Sequence, residues 1–226
     1  MGFLDQLKDT IDNLQKNIKR FDPTTLNDDV AMKTEWTRAK DGGASRQIYE
    51  FVQEASHKLE IKVKASSYLF PIIFTLAGFI PMIMGVIFYF KFQDWKIALF
   101  MIPFGFTFIA VGVFTFLSYK KSHFFDKSNG YYWKGKEGAV DSAKHKCRLI
   151  DIHALQIIQE HIVRNSNSSS GSSGQTSYTS YELNLVLKDG KRFNVLDHAG
   201  KQLLMEEAEK VSQFLGGKPV WDGTYF

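Results

Sequence analysis

The chain has few of the residues that carry catalytic and metal chemistry. Its 226 residues include one cysteine, Cys147, so no internal disulfide can form, which agrees with a reducing compartment. There is no glycine-rich phosphate loop, no HExxH motif and no cysteine pair. We therefore predict no catalytic residue, no metal site, no cofactor and no enzymatic activity.

Two small groups of residues could contradict the expectation that the chain has no metal site and no catalytic residue. His145, Cys147 and His153 could suggest a metal, but their spacing matches no common zinc pattern. Asp197 and His198 could suggest an acid-base pair, but adjacent residues of a strand point to opposite faces. An enzyme acting on lipid is therefore the weakest of the functional alternatives.

Two long runs of the sequence lack charged residues entirely. Residues 68–90 and 97–119 are each 23 residues long without Asp, Glu, Lys, Arg or His. A helix of that length covers about 34 Å, slightly more than the hydrocarbon core of a bilayer. We predict two transmembrane helices rather than two buried helices of a soluble core. Without ionisable groups at membrane depth, a channel or transporter built from this chain alone is not expected.

The short turn between these spans, residues 91–96, requires them to form an antiparallel hairpin with both chain ends on one side. Six lysines flank the hairpin on that side and two lie in the turn, which predicts that both termini lie in the cytoplasm and the turn outside. These are Lys58, Lys62, Lys64, Lys120, Lys121 and Lys127, against Lys91 and Lys96. No cleavable signal is expected before the first span.

Glycines repeat at seven-residue spacing within each span, so each pair falls on one helix face. These candidate helix-packing residues are Gly78 and Gly85 in the first span, and Gly105 and Gly112 in the second. Small residues let helices approach closely in lipid. The two glycine faces meet each other within the hairpin or, alternatively, one receives a helix of another protein.

The amino-terminal residues 1–22 are predicted to form an amphipathic helix. Its narrow apolar stripe is the candidate partner helix, formed by Leu4, Leu7, Ile11, Leu14 and Ile18. Three aspartates on the helix disfavour anionic lipid, so contact with protein is preferred, either self-association or a separate partner. Residues 23–43 are predicted to be a polar connector.

The remaining segments alternate apolar and polar residues, which is typical of antiparallel strands. We predict a β-hairpin within 44–66, the transmembrane hairpin within 67–119, and a cytoplasmic domain within 120–226. That domain contains strand turns at Asn129-Gly130 and Asp189-Gly190, a long strand within 148–164, a flexible loop at 166–175 and a helix at 200–215. The fold class is an α+β membrane protein, with the two spans inserted into a mostly antiparallel, pleckstrin-homology-like barrel closed by a C-terminal helix.

Several stretches resemble a group of bacterial two-span membrane proteins with a cytoplasmic pleckstrin-homology-type domain. They are TEWTRAKDGGAS (34–45), FDKSNGYYWKGK (125–136), SYELNLVLKDGKRFNVLDH (180–198) and FLGGKPVWD (214–222), together with the membrane hairpin. The resemblance covers roughly residues 30–222 and implies a fold and a membrane location, but no activity.

A basic stretch follows the second span and is the candidate contact for anionic headgroups. It comprises Lys134, Lys136, Lys144, Lys146 and Arg148. The alternative is a solvated face, since acidic residues are interleaved. The net charge of +4 is too mild and too dispersed for a nucleic-acid binder.

Two functions remain from different classes. The first is a membrane-anchored adaptor, not an enzyme, that binds a protein partner and inner-leaflet membrane lipid. The second is an accessory subunit that packs through its transmembrane hairpin into a larger transport or secretion complex.

Overall fold

The computed structural model describes residues 21–39, 43–44, 46–167 and 173–224, and it is an α+β structure with antiparallel sheets and two long apolar helices. The predicted partner helix lies outside these residues. In chain order the elements are α1 (Asp29–Lys33), β1 (Tyr49–Ala55), β2 (Lys58–Val63), α2 (Leu69–Lys91), α3 (Trp95–Tyr119), β3 (Ser122–Asp126), β4 (Tyr131–Gly135), β5 (His145–Arg148), β6 (Ile152–Asn167), β7 (Ser173–Leu187), β8 (Arg192–His198), α4 (Lys201–Phe214) and β9 (Val220–Gly223).

The chain forms two compact units. One contains Ile48–Leu149, and the other combines the described residues up to Gln47 with those from Ile150 onward. The predicted hairpin, present as β1 and β2, therefore belongs with the apolar helices and β3–β5, while β6–β9 and α4 form a unit with the amino-terminal segment up to Gln47. We call them the helix unit and the second unit.

The helix unit has a five-stranded antiparallel sheet in the order β1-β2-β3-β4-β5. The predicted β-hairpin appears as β1 and β2, and the Asn129-Gly130 turn joins β3 to β4 with Gly130 at φ +78°. Helices α2 and α3 connect β2 to β3, which are direct neighbours in the sheet. One sheet face is apolar and buried, with Leu59, Ile61 and Phe125 almost fully covered.

The second unit has a four-stranded sheet in the order β8-β7-β6-β9, and α4 packs on β6, β7 and β9. The Asp189-Gly190 turn and the predicted helix are both present. Two expectations need correction. The predicted loop 166–175 is shorter, because β6 and β7 still pair at Asn167 and Ser173. Strand β9, which the sequence analysis did not predict, runs parallel to β6.

Part of the predicted connector 23–43 forms the short helix α1 (Asp29–Lys33). Asp28 caps α1 by accepting hydrogen bonds from the backbone N–H groups of Val30 (2.8 Å) and Ala31 (3.1 Å). This helix places Ala31 in a fully buried cluster with Trp221 and neighbouring sheet residues. A short amphipathic segment of this kind escapes detection because its apolar residues, taken alone, show no period.

Candidate functional site

Helices α2 and α3 are long and apolar enough to cross a membrane. Only 11% and 17% of their most apolar segments are buried, and large side chains such as Phe90 and Phe114 are 71% and 72% exposed. A core helix of a soluble protein buries most of its apolar surface. The outward faces of this hairpin therefore have the character of surfaces that contact hydrocarbon.

The four glycines lie at the contact between the two helices. A Cβ atom added to Gly78 would lie 2.7 Å from the carbonyl oxygen of Gly105, and Gly105 faces Gly78 in return. Gly85 faces Ile102, and Gly112 faces Pro71 and Thr75. Both glycine faces are thus occupied within the hairpin, as in the first of the two alternatives drawn from the sequence.

Aromatic residues connect α2 and α3 at the end of the hairpin that joins the sheet. The Tyr68 hydroxyl donates to the carbonyl oxygen of Tyr119 at 2.8 Å, linking the start of α2 to the end of α3. The Tyr68 ring also meets the Phe116 ring edge-on at 5.4 Å, and Lys120 Nζ lies 4.9 Å from the centre of the Phe116 ring. Rings with a polar tip beside a cation are typical of a membrane interface.

The sheet end next to these helices is rich in lysine. Because β2 leads into α2 and β3 follows α3, the ends of these strands at Val63 and Ser122 lie on the helix side. Ser122 pairs with Gly135, and Lys134 pairs with His145, so the adjoining strand ends lie there too. We call the lysines at this end the cationic rim: Lys62, Lys64, Lys120, Lys121, Lys134, Lys136 and Lys144.

The predicted basic stretch is only partly contained in this rim. Arg148 pairs with Tyr131, three residues beyond His145, and so lies about 10 Å farther from the helices. Lys146 pairs with Trp133 and comes two residues after Lys144, so it lies about 7 Å farther from this strand end than Lys144 does. The structure therefore groups Lys134, Lys136 and Lys144 with lysines that flank the spans, and it does not form one patch from all five predicted residues.

The sequence did contain a signal for this grouping. Extending the β3–β4 pairing outward from the Asn129-Gly130 turn brings Gly135 opposite Ser122, next to Lys120 and Lys121. The loop after β4 is also fixed to the sheet. Trp133 Nε1 donates to the Lys136 carbonyl oxygen at 3.0 Å, and Lys58 pairs with Glu137. The hydrogen bonds to Glu137 and Glu54 raise the pKa of the Lys58 ammonium above its usual range.

The second unit contains a row of buried polar side chains covered by residues 34–39 and 43–44. The Glu182 carboxylate is 2% exposed and accepts from the backbone N–H of Ala39 at 2.9 and 3.1 Å. Gln156 Nε2 donates to the Glu35 carbonyl oxygen at 3.0 Å, and the backbone N–H of Ala44 donates to Ser180 Oγ at 2.9 Å. These contacts hold an irregular segment against the sheet, which is a structural role.

A polar cleft of about 480 Å³ adjoins this segment. Arg192 pairs with Glu35 at 3.1 Å, Lys191 with Asp189 at 3.0 Å, and Arg38 with Glu160 outside the cleft. Lys33 also lines the cleft, and most of the charge there is engaged in these pairs. Within the described residues, no three His, Cys, Asp or Glu side chains are grouped so that they could hold a metal.

A scan against protein-family models finds no match for the chain, and a search of curated proteins finds none either.

Proposed function

We propose that this protein is a membrane-anchored adaptor, without enzymatic activity, in a bacterial inner membrane. The hairpin α2–α3 spans the bilayer, both chain ends lie in the cytoplasm, and the cytoplasmic part binds a protein partner and anionic lipid of the inner leaflet. Its fold is proposed to be pleckstrin-homology-like. The support for that fold is a five-stranded antiparallel sheet interrupted by the hairpin, and a second, mainly antiparallel sheet whose last strand, β9, follows an amphipathic helix.

The observation that carries this proposal is the cationic rim directly beside the exposed apolar hairpin. Each basic side chain near an anionic bilayer surface contributes about 1 kcal/mol, and that attraction falls off within a Debye length. Lysines at the base of the spans act at this distance, whereas Arg148 lies about 10 Å farther away. More lysines flank the hairpin on the sheet side than lie in its turn, and this excess supports the proposed cytoplasmic location of both chain ends.

The lipid contact is tested by hydrogen exchange on the full chain in nanodiscs. We expect the amides around Lys121 and Lys136 to exchange more slowly in phosphatidylcholine containing phosphatidylglycerol than in phosphatidylcholine alone. Replacing both residues by Gln should remove most of that difference. Lys127→Gln with Lys146→Gln, which changes the same charge farther from the helices, is the matched control. An equal effect of the two double variants would contradict a role for the rim.

The protein contact is tested on the amino-terminal stripe. Leu7→Glu with Leu14→Glu places charge on the predicted apolar stripe, and Gln6→Glu with Asn13→Glu adds the same charge about 100° around the helix, on its polar side. We expect cross-linking and mass spectrometry of the gently extracted protein to recover its partner with the second pair and to lose it with the first. If both double variants recover the partner as well as the wild type does, the amino-terminal helix is not the contact with that partner.

The accessory-subunit alternative has less support. It was based on a glycine face that receives another helix, and both glycine faces are occupied within the hairpin. A larger complex would have to use another surface of α2 or α3.

A further inference from the structure

A groove of about 240 Å³ lies between α2 and α3, close to the end that joins the sheet. Its walls are formed by Pro71, Ile72, Thr75 and Leu76 of α2, and by Val113 and Phe116 of α3. The Thr75 hydroxyl donates to the Pro71 carbonyl oxygen at 2.7 Å. That hydroxyl is therefore satisfied within its own helix, and the surface that the groove offers is hydrocarbon.

The mouth of this groove is cationic. Phe116 is a wall residue, and Lys120 Nζ lies over its ring at 4.9 Å. A cation over an aromatic face is held there by the ring quadrupole, which fixes the ammonium near the groove.

An apolar groove below a fixed positive charge complements one class of molecule, a lipid with an anionic headgroup. We propose that the groove binds one acyl chain of an anionic phospholipid, with its phosphate at Lys120. This inference rests on the proposed insertion of the hairpin into a membrane. It deepens that proposal by replacing a diffuse attraction to the leaflet with a single site that has both a chain pocket and a charge.

The test uses native mass spectrometry of the full chain, released from micelles with added phosphatidylglycerol or phosphatidylcholine. Wild type is expected to retain one phosphatidylglycerol more tightly than phosphatidylcholine. Lys120→Gln should weaken phosphatidylglycerol about fivefold and leave phosphatidylcholine nearly unchanged. Lys91→Gln is the charge control, because Lys91 stacks on Phe92 (5.8 Å) at the opposite end of the hairpin.

A second pair of variants tests the groove itself. Val113→Trp fills the groove and should reduce retention of both lipids. Val111→Trp is the matched control, since Val111 lies outside the groove walls and is 46% exposed against 43% for Val113. The wild-type chain is also tested for extraction from membranes by alkaline carbonate. If carbonate does not extract it and the two tryptophan variants retain lipid equally, the groove is not the lipid site, but the proposed membrane insertion stands. A wild-type chain that carbonate extracts would overturn the proposed insertion and the groove with it.

Discussion

Replacing Gly105 with alanine should force the two apolar helices apart. The new Cβ atom would lie 2.9 Å from the backbone nitrogen of Met82 and closer still to the carbonyl oxygen of Gly78. Ordinary contact begins near 3.4 Å, and the Gly78 oxygen is the nearer obstacle, so the local separation must grow by more than about 0.5 Å. Both obstacles are backbone atoms, which cannot turn aside as a flexible side chain can.

The expected cost combines two opposing effects. Overpacking of this kind costs about 1–3 kcal/mol, and alanine regains about 1 kcal/mol of helix propensity over glycine. The net loss should therefore be about 1 kcal/mol of helix–helix free energy, and at most about 2 kcal/mol. Gly78→Ala together with Gly105→Ala should cost less than the sum of the two, because the first change already separates the helices that the second would push apart.

The separation can be measured directly in the full chain in detergent. Nitroxides at Ile80 and Phe106, both exposed, with Cys147→Ala, would report the interhelical distance by pulsed electron spin resonance during an SDS titration. We expect Gly105→Ala to lengthen the distance and to shift the transition to less SDS.

Gly85→Ala is the graded control, because the nearest atom it meets, at 2.9 Å, is a side-chain carbon of Ile102. Its effect should be smaller. Equal effects at Gly85 and Gly105 would refute the backbone-contact argument. An unchanged distance accompanied by loss of a bound protein would instead favour a partner helix on the glycine face.

Two further outcomes concern the second unit. Gly223→Ala would place a Cβ atom 2.8 Å from the Trp36 ring, so we expect a loss of about 1–3 kcal/mol in thermal unfolding, whereas Gly135→Ala, with its nearest neighbour at 3.9 Å, should be nearly neutral. Burial acts to raise the pKa of Asp28, but hydrogen bonds from His153 and two backbone N–H groups outweigh it and lower that pKa. The stabilisation from the ionised Asp28 carboxylate is therefore present above about pH 4 and is lost as the pH falls through its lowered pKa. In Asp28→Asn, the free energy of unfolding should depend less on pH below about pH 4. An unchanged pH dependence would contradict this.

Much of the fold could be predicted because its signals are local. The apolar spans, the turns at Asn129-Gly130 and Asp189-Gly190, and the helix before Gly216 each depend on residues a few positions apart. Gly130, Gly190 and Gly216 all have positive φ, which is the conformation that selects glycine. Such features leave a pattern within a short window of sequence.

Strands β5 and β9 left no such pattern. His145–Arg148 is almost entirely polar, and Val220–Gly223 has four residues, too few to establish a period of two. β9 also pairs in parallel with β6, more than 60 positions earlier, so its strand character depends on a distant partner. The cationic rim was missed for a related reason: its lysines come from four chain segments, which the sheet register brings to one end.

The sheet and the hairpin impose a shared constraint on the helix contact. β2 and β3 are antiparallel neighbours, whose backbones lie about 4.8 Å apart, while packed helices ordinarily lie about 8–10 Å apart. Only residues 64–68 join β2 to α2, and only Lys120 and Lys121 join α3 to β3, so the sheet ends of the two helices are held near each other. Gly112 is the glycine of α3 nearest the sheet, and a Cβ atom there would come within 2.9 Å of the Pro71 carbonyl oxygen. Glycine at this position thus serves both the contact between the helices and their connection to paired strands.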